Sequence, residues 1–254
     1  MNYSELNQIA IKAAELACKE ILEVYHSNDF QAESKDDKSP LTLADMRAHT
    51  SIVSVLKETG LPILSEEGKK IPYEERKQWE YFWMVDPLDG TKEFLKRNGE
   101  FTVNIALIYN QKPILGVVAV PVSGDVFYAA EEKAFLKRNG QTIVLPKRSP
   151  ASLTQSGLRV VASRSHMSPE TQDFIDVLKD PSLVSQGSSL KFMLLAESKA
   201  DVYPRFAPTM EWDTAAAHAI VNAVGISVKQ KDRDKELMYN KEDLLNPHFI
   251  ALVE

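Results

Sequence analysis

Between residues 101 and 145 the chain strings together five β-forming runs, FTVNIALIY, PILGVVAVPV, DVFYAA, KAFLKR and TIVLP, separated by turn signals. Asn139-Gly140, between the last two, is the strongest of these, because both residues tolerate the positive φ that a tight hairpin requires. The block predicts an antiparallel meander. Ahead of it, Leu6, Ile9, Ala13, Leu16, Ala17, Ile21 and Val24 recur at steps of three and four, the pattern of a helix with one buried face. Cys18 sits beside this stripe with Ala14 and Leu22 and reads as a small packing residue rather than a reactive thiol.

A second helical stretch follows Leu41 and ends near Gly60, after a charged, breaker-rich loop over 33–40. Residues 61–64 read as a short strand, 69–80 as loop or short helix, and 81–85 (YFWMV) as a strand. Beyond about 150 the style changes. LRVVAS, 201–204 and FIALV are strand-like, while 169–179, 188–198 and 213–224 are helix-like. The first part therefore reads as α+β and the second as alternating α/β. Lys147-Arg148-Ser149-Pro150 is a candidate seam, dividing the chain into lobes 1–148 and 149–254 of one continuous catalytic unit.

At 254 residues the chain suits one large domain or two intimate lobes. Its net charge of -6 argues against a general binder of nucleic-acid polymers. An anionic small-molecule substrate stays open, because bound divalent metals reverse local charge. The single cysteine cannot form an internal disulfide and fits a reducing compartment. No Cys/His spacing suggests structural zinc. The N-terminus lacks a signal-peptide layout, and no apolar run approaches the roughly 18 residues of a membrane span. A cytoplasmic location is expected, with peripheral contact at the inner membrane left open.

Chemistry concentrates in Asp86-Pro87-Leu88-Asp89-Gly90-Thr91, directly after the apolar run 81–85. Pro87 and Gly90 predict a turn. Two carboxylates three residues apart on such a turn can face one point and hold a hard divalent cation, with the Leu88 carbonyl as a further oxygen ligand. Gly90 and Thr91 would open the next helix, whose first N–H groups suit a phosphate. The plain alternative is a surface turn with a helix cap. The acids are three apart rather than two, which excludes the aspartyl nucleophile of haloacid-dehalogenase-type phosphatases. Leu88 breaks the alternating acids of an EF-hand loop.

Further acids flank this string. Glu66-Glu67 follows the short strand at 61–64; adjacent acids of this kind are usually a solvated loop. Asp45, in Thr42-Leu43-Ala44-Asp45, stands at a helix start, where it can simply complement the dipole. Asp213, in Glu211-Trp212-Asp213-Thr214, precedes a small-residue run and can simply cap a helix.

Together, the upstream Thr-x-x-Asp, the Glu-Glu, the DPLDGT string and the downstream Trp-Asp-x-Ala-Ala resemble the inositol monophosphatase superfamily, in its order, from about 35 to 225. The resemblance implies a layered αβαβα sandwich of the inositol monophosphatase and sugar phosphatase type, and a lithium-sensitive, Mg²⁺-dependent phosphomonoesterase. It makes Glu66, Asp86, Leu88 (by its carbonyl), Asp89 and Asp213 the shell of two or three Mg²⁺ ions. Asp45 and Thr91 become the pair that activates water, and the Gly90 and Thr91 amides hold phosphate, with no covalent phosphoenzyme.

Ser163-Arg164-Ser165-His166, Gly187-Ser188-Ser189-Leu190-Lys191-Phe192 and Ala200-Asp201-Val202-Tyr203-Pro204-Arg205-Phe206 are similar to the 3′(2′),5′-bisphosphate nucleotidase branch. That branch removes the 3′-phosphate of adenosine 3′,5′-bisphosphate, a by-product of sulfate assimilation. It implies Ser163, His166, Gly187 and Lys191 as nucleotide contacts. Lys191 would offset the second phosphate, and Gly187 would permit close backbone approach. Without the resemblance these are an ordinary helix lysine, a loop hinge and polar residues. The chain departs from the branch at Ala207 and from the family at Ala217, both of which lie beside the ligand positions. The implied partner is a small phosphorylated nucleotide, and the chain is expected as a monomer or homodimer. Two rival readings stand: a sister phosphatase for inositol monophosphate or a sugar phosphate, and a non-catalytic protein that binds a nucleotide or metal.

Overall fold

The computed structural model describes residues 2–27, 33–34, 40–130, 132–162 and 167–253. The predicted contacts Ser163 and His166 lie outside the described residues. Helix α1 (Tyr3–Ser27) comes first, then the two-residue strands β1 (Glu33–Ser34) and β2 (Pro40–Leu41), which pair antiparallel within the stretch expected to be loop. Helix α2 (Leu43–Leu56), β3 (Ile63–Ser65), α3 (Tyr73–Arg76), β4 (Tyr81–Asp89) and α4 (Thr91–Leu95) follow. The meander is β5 (Thr102–Tyr109), β6 (Lys112–Val120), β7 (Asp125–Ala130), β8 (Lys133–Arg138) and β9 (Gln141–Leu145). The remainder comprises β10 (Arg159–Val161), α5 (Pro169–Asp176), β11 (Ser182–Val184), α6 (Leu190–Ala196), β12 (Val202–Arg205), α7 (Glu211–Ala223), β13 (Ile226–Gln230) and β14 (Phe249–Val253).

Strands β3 to β9 form one seven-stranded sheet in sequence order, antiparallel except for β3 and β4. Alternation along its central strands sorts the side chains into two cores. Trp83 and Val85 pack with α1 and α2, whereas Phe82 and Met84 pack with α6 and α7. Both faces are covered, which is why YFWMV reads as continuous apolar sequence rather than as alternation. The second sheet has the order β11-β10-β12-β14-β13 and lies beyond α6 and α7. Its outer face packs on α5 through Leu158, Val160, Ile175 and Val202. The layers are therefore helix, sheet, helix, sheet, helix, the sandwich that the resemblance implied.

Two details differ from the alternating α/β expectation. β11 and β13 are additional strands, and β14 runs antiparallel to both β12 and β13, so the second sheet is mixed. Helix α7 meets β6 at backbone distance. A Cβ at Gly116 would lie 2.1 Å from the Ala216 carbonyl oxygen, so only glycine fits there. The small side chains Ala215, Ala216 and Ala219 on the facing side serve the same close approach. Cys18 packs at the edge of the α1 core, and burial, with Glu15 nearby, pushes its thiol up to about 12, the inert behaviour expected of it. Among the described residues no helix is long and apolar enough to cross a membrane. Peripheral membrane contact finds no supporting feature among them.

Candidate active site

The Asp86–Asp89 segment was expected to turn; instead β4 continues through it as a bulge. Asp86 pairs with Asn104 and Asp89 with Thr102, so four residues of β4 oppose three of β5. This extra residue decides where the two carboxylates point. In a regular strand, positions three apart point to opposite faces. The bulge inserts one residue and brings both aspartates to the same face. Leu88 drops its side chain into the α1/α2 core, and its N–H donates to Asp86 Oδ1 at 3.0 Å. Gly90 then adopts φ 92°, a left-handed conformation, and opens α4 without a side-chain cap.

Three other elements aim acids at this bulge. Glu66 follows the C-terminal end of β3, and its N–H bonds the Val85 carbonyl at 3.1 Å, which ties the Glu-Glu loop to β4. Helix α7 begins at Glu211, two residues earlier than expected, so Asp213 is its third residue. One Asp213 oxygen, Oδ2, accepts from the Met210 N–H at 2.9 Å. Oxygens of Glu66, Asp86 and Asp213 lie within 4.8 Å of one another. These are parts of the chain roughly 150 residues apart in sequence. Asp89 stands just outside that trio. Its Oδ2 accepts from Ser188 Oγ at 2.7 Å, Ser189 N at 2.6 Å and Asn104 Nδ2 at 3.4 Å.

Asp45 caps its helix and also faces Thr91. Its Oδ2 accepts from Thr42 N at 2.8 Å and Thr42 Oγ1 at 2.5 Å, closing a capping box at the start of α2. Its Oδ1 faces Thr91 Oγ1 at 3.4 Å, and that hydroxyl is also 3.4 Å from the Leu88 carbonyl. The cap orients the carboxylate so that its second oxygen points at the site.

Burial, then the charges of Glu66, Asp89, Asp213 and Asp45, raise the Asp86 carboxyl well above the ordinary carboxylate range. Burial and Asp89 do the same to Asp213, against the Met210 hydrogen bond. Among the described residues neither Asp86 nor Asp213 has an ion-pair partner. Hard carboxylate oxygens gathered this closely, with Arg205 acting on Asp213, fit a divalent metal of the magnesium type.

Beside the acids opens a cavity of about 640 Å³, lined by Gly90, Lys92, Gly187, Lys191, Arg205 and Asp213 among others. Lys191 Nζ donates to the Ser188 carbonyl at 3.2 Å, and burial lowers its pKa while Asp89 raises it. Gly187 is where the resemblance put it, but its N–H donates to Glu100 Oε2 at 2.9 Å. A Cβ there would sit 2.7 Å from the Glu100 carbonyl oxygen, so its contact with the Glu100 backbone already requires glycine. Arg205, Ser188, Ser189, Thr102 and Asn104 also line or support this site, with no role legible from their sequence alone. One signal for the last two was present: polar residues two apart in an otherwise apolar strand share a face.

The chain matches the inositol monophosphatase family over residues 2–251. The 3′(2′),5′-bisphosphate nucleotidase CysQ of Salmonella typhimurium is 47% identical over 236 residues, covering 90% of this chain and 92% of the relative. The protein of that name from Haemophilus influenzae is 30% identical over 258 residues, covering 99% of this chain and 94% of the relative. The crystal structure of CysQ from Bacteroides thetaiotaomicron is similar with a TM-score of 0.86 at 46% identity, covering 99% of this chain and 98% of that one.

Proposed function

The chain belongs to the inositol monophosphatase family, and we propose that it removes the 3′-phosphate of adenosine 3′,5′-bisphosphate to give AMP and inorganic phosphate. The observation that carries this reading is the meeting of Glu66, Asp86 and Asp213 within 4.8 Å, where Asp213 also lines a cavity of about 640 Å³ that presents Lys191 and Arg205. The acids answer to a metal-assisted phosphoryl transfer, and the cations answer to a substrate with a second phosphate.

In this reading Glu66, Asp86, Asp89, Asp213 and the Leu88 carbonyl hold two or three Mg²⁺. Magnesium held there would supply positive charge that makes the attacking water more acidic and stabilises the phosphoryl oxygens. Thr91 Oγ1 takes the proton of the attacking water and passes its own toward Asp45 Oδ1, the two atoms being 3.4 Å apart. Asp45 is held for this by the Thr42 N–H and hydroxyl, which both donate to Oδ2 and leave Oδ1 toward Thr91. The Gly90 and Thr91 amides, at the uncapped start of α4, bind the phosphate oxygens. Lys191 offsets charge on the second phosphate, and Ser163 and His166 complete the nucleotide contacts. Gly187 serves by letting its loop pack on Glu100 rather than by offering its amide.

Lobes 1–148 and 149–254 remain our division of the chain. It is supported by the change of sheet between Leu145 and Arg159. The lobes share one core through α7. The chain acts in the cytoplasm, as a monomer or homodimer.

Phosphate release from adenosine 3′,5′-bisphosphate and from inositol 1-phosphate, compared over a magnesium titration, tests the assignment. We expect strong, magnesium-dependent preference for the nucleotide. Preference for the inositol substrate would transfer the chain to the sister activity. Tight nucleotide binding without release would make it a binding protein.

A further inference from the structure

Among the proposed carboxylate ligands, Asp89 alone stands outside the 4.8 Å group, and its position rests on a buried hydroxyl and amide network. Ser188 has φ 54°, an uncommon left-handed conformation for a non-glycine residue. That conformation aims both its own hydroxyl and the following Ser189 N–H at Asp89 Oδ2, at 2.7 and 2.6 Å. Asn104 Nδ2 approaches the same oxygen at 3.4 Å. The Asn104 amide is oriented by its other end, where Oδ1 accepts from Ser189 Oγ at 2.8 Å and Thr102 Oγ1 at 3.3 Å. Thr102 Oγ1 also lies 2.5 Å from Ser188 Oγ and 2.8 Å from Ser189 Oγ. Thr102, Asn104 and Ser189 are all buried, at 0, 1 and 2% exposure, so water does not substitute for these bonds.

The donors come from both parts of the molecule. Thr102 and Asn104 stand on β5, directly opposite Asp89 and Asp86 across the bulge. Ser188 and Ser189 belong to the loop that leads into α6. We propose that Ser188, Ser189 and Asn104, ordered by Thr102, are positioning residues that clamp Asp89 Oδ2, so that Oδ1 is presented to the metal only when the Ser188–Ser189 loop is docked on β5. This deepens, and rests on, the metal-dependent reading above. Metal binding and loop docking then reinforce each other, since each selects the same Asp89 rotamer.

The test measures magnesium affinity by calorimetry on the full chain without substrate, alongside melting of the metal-free protein. Asn104→Leu removes both ends of the amide, Thr102→Val removes one hydroxyl at constant shape, and Thr102→Ser restores it. We expect magnesium Kd to rise about 10- to 100-fold in Asn104→Leu, less in Thr102→Val, and to return close to wild type in Thr102→Ser. Thr102→Val should melt within a few degrees of wild type without metal, which keeps the proposal testable if Asn104→Leu folds poorly. Unchanged Kd in folded Thr102→Val and Asn104→Leu would overturn the clamp alone. Wild-type protein that binds no magnesium would overturn the metal site and the clamp with it.

Discussion

Glu211 and Asp213 lie two residues apart on α7, and both are acids turned inward, yet the structure treats them in opposite ways. Glu211 is fully buried and fully answered. It accepts from the backbone N–H groups of Asn240 and Lys241 and pairs with the Lys241 ammonium. Arg76 extends this region, donating to Asn240 Oδ1 at 2.9 Å and to the Glu242 carbonyl at 2.7 Å. Asp213 keeps one hydrogen bond to Met210 and sits among Asp89, Asp86 and Glu66, with the cation Arg205 acting on it. A buried carboxylate whose charge is met by cations and amides holds a chain segment in place. One set mostly among other carboxylates is raised in pKa instead and is a candidate for function. The contrast separates structural from functional acids more sharply than burial does.

The largest effect expected from breaking this contrast is on turnover. Asp213→Asn keeps an oxygen to accept from Met210 but loses a charge in the cluster. It should lower kcat by at least about 1,000-fold, beyond the ~10–100-fold typical of outer-shell partners. Glu211→Gln, measured in the same assay, should stay near wild type. Equal losses in the two variants would erase the distinction.

Stability should show the reverse. Glu211→Ala breaks a buried pair and strands two amides, at a cost of about 3 kcal/mol in urea unfolding. Asp213→Asn should be neutral or stabilising in metal-free protein, because it relieves repulsion. A destabilised Asp213→Asn would place that residue with Glu211.

The smallest effect is a pH slope. Asp86 and Asp213 titrate above the ordinary carboxylate value in the folded chain, so between the two values the native state binds more protons than the unfolded one. Their contribution therefore favours folding at low pH and is lost as pH rises through the folded values. With a chelator present, the melting temperature attributable to these groups should fall from mildly acidic toward neutral pH. Asp86→Asn should flatten that fall, and saturating magnesium should abolish it by stabilising the charged forms. A chelated wild type with the same slope as Asp86→Asn would contradict the repulsive cluster.

Much of the fold was legible because it rests on local pattern. The stripe from Leu6 to Val24 and the five runs from 101 to 145 each bury one element against neighbours that tolerate many partners. The strands β11 and β13 were not legible. Ser182–Val184 is an edge strand with exposed residues, and its pairing with Arg159–Val161 comes from a distant segment. In the site, Asp86, Asp89 and Thr91 stood out because acids, proline and glycine crowd one string. Glu211 looked no different in sequence from Asp213. The partners that distinguish them, Lys241 and Asn240, lie about 30 residues downstream.

What the sequence determined by itself was the supply of chemistry: hard oxygen ligands, a hydroxyl beside them, and apolar runs long enough to bury the strands that carry them. The tertiary structure decided which acids meet. One extra residue in β4 turns Asp86 and Asp89 to a common face, and a bare Cα at Gly116 lets α7 close on the sheet and deliver Asp213. Both are matters of register and contact between segments far apart in the chain. Side-chain chemistry is a property of each residue, whereas convergence is a property of how backbones pack.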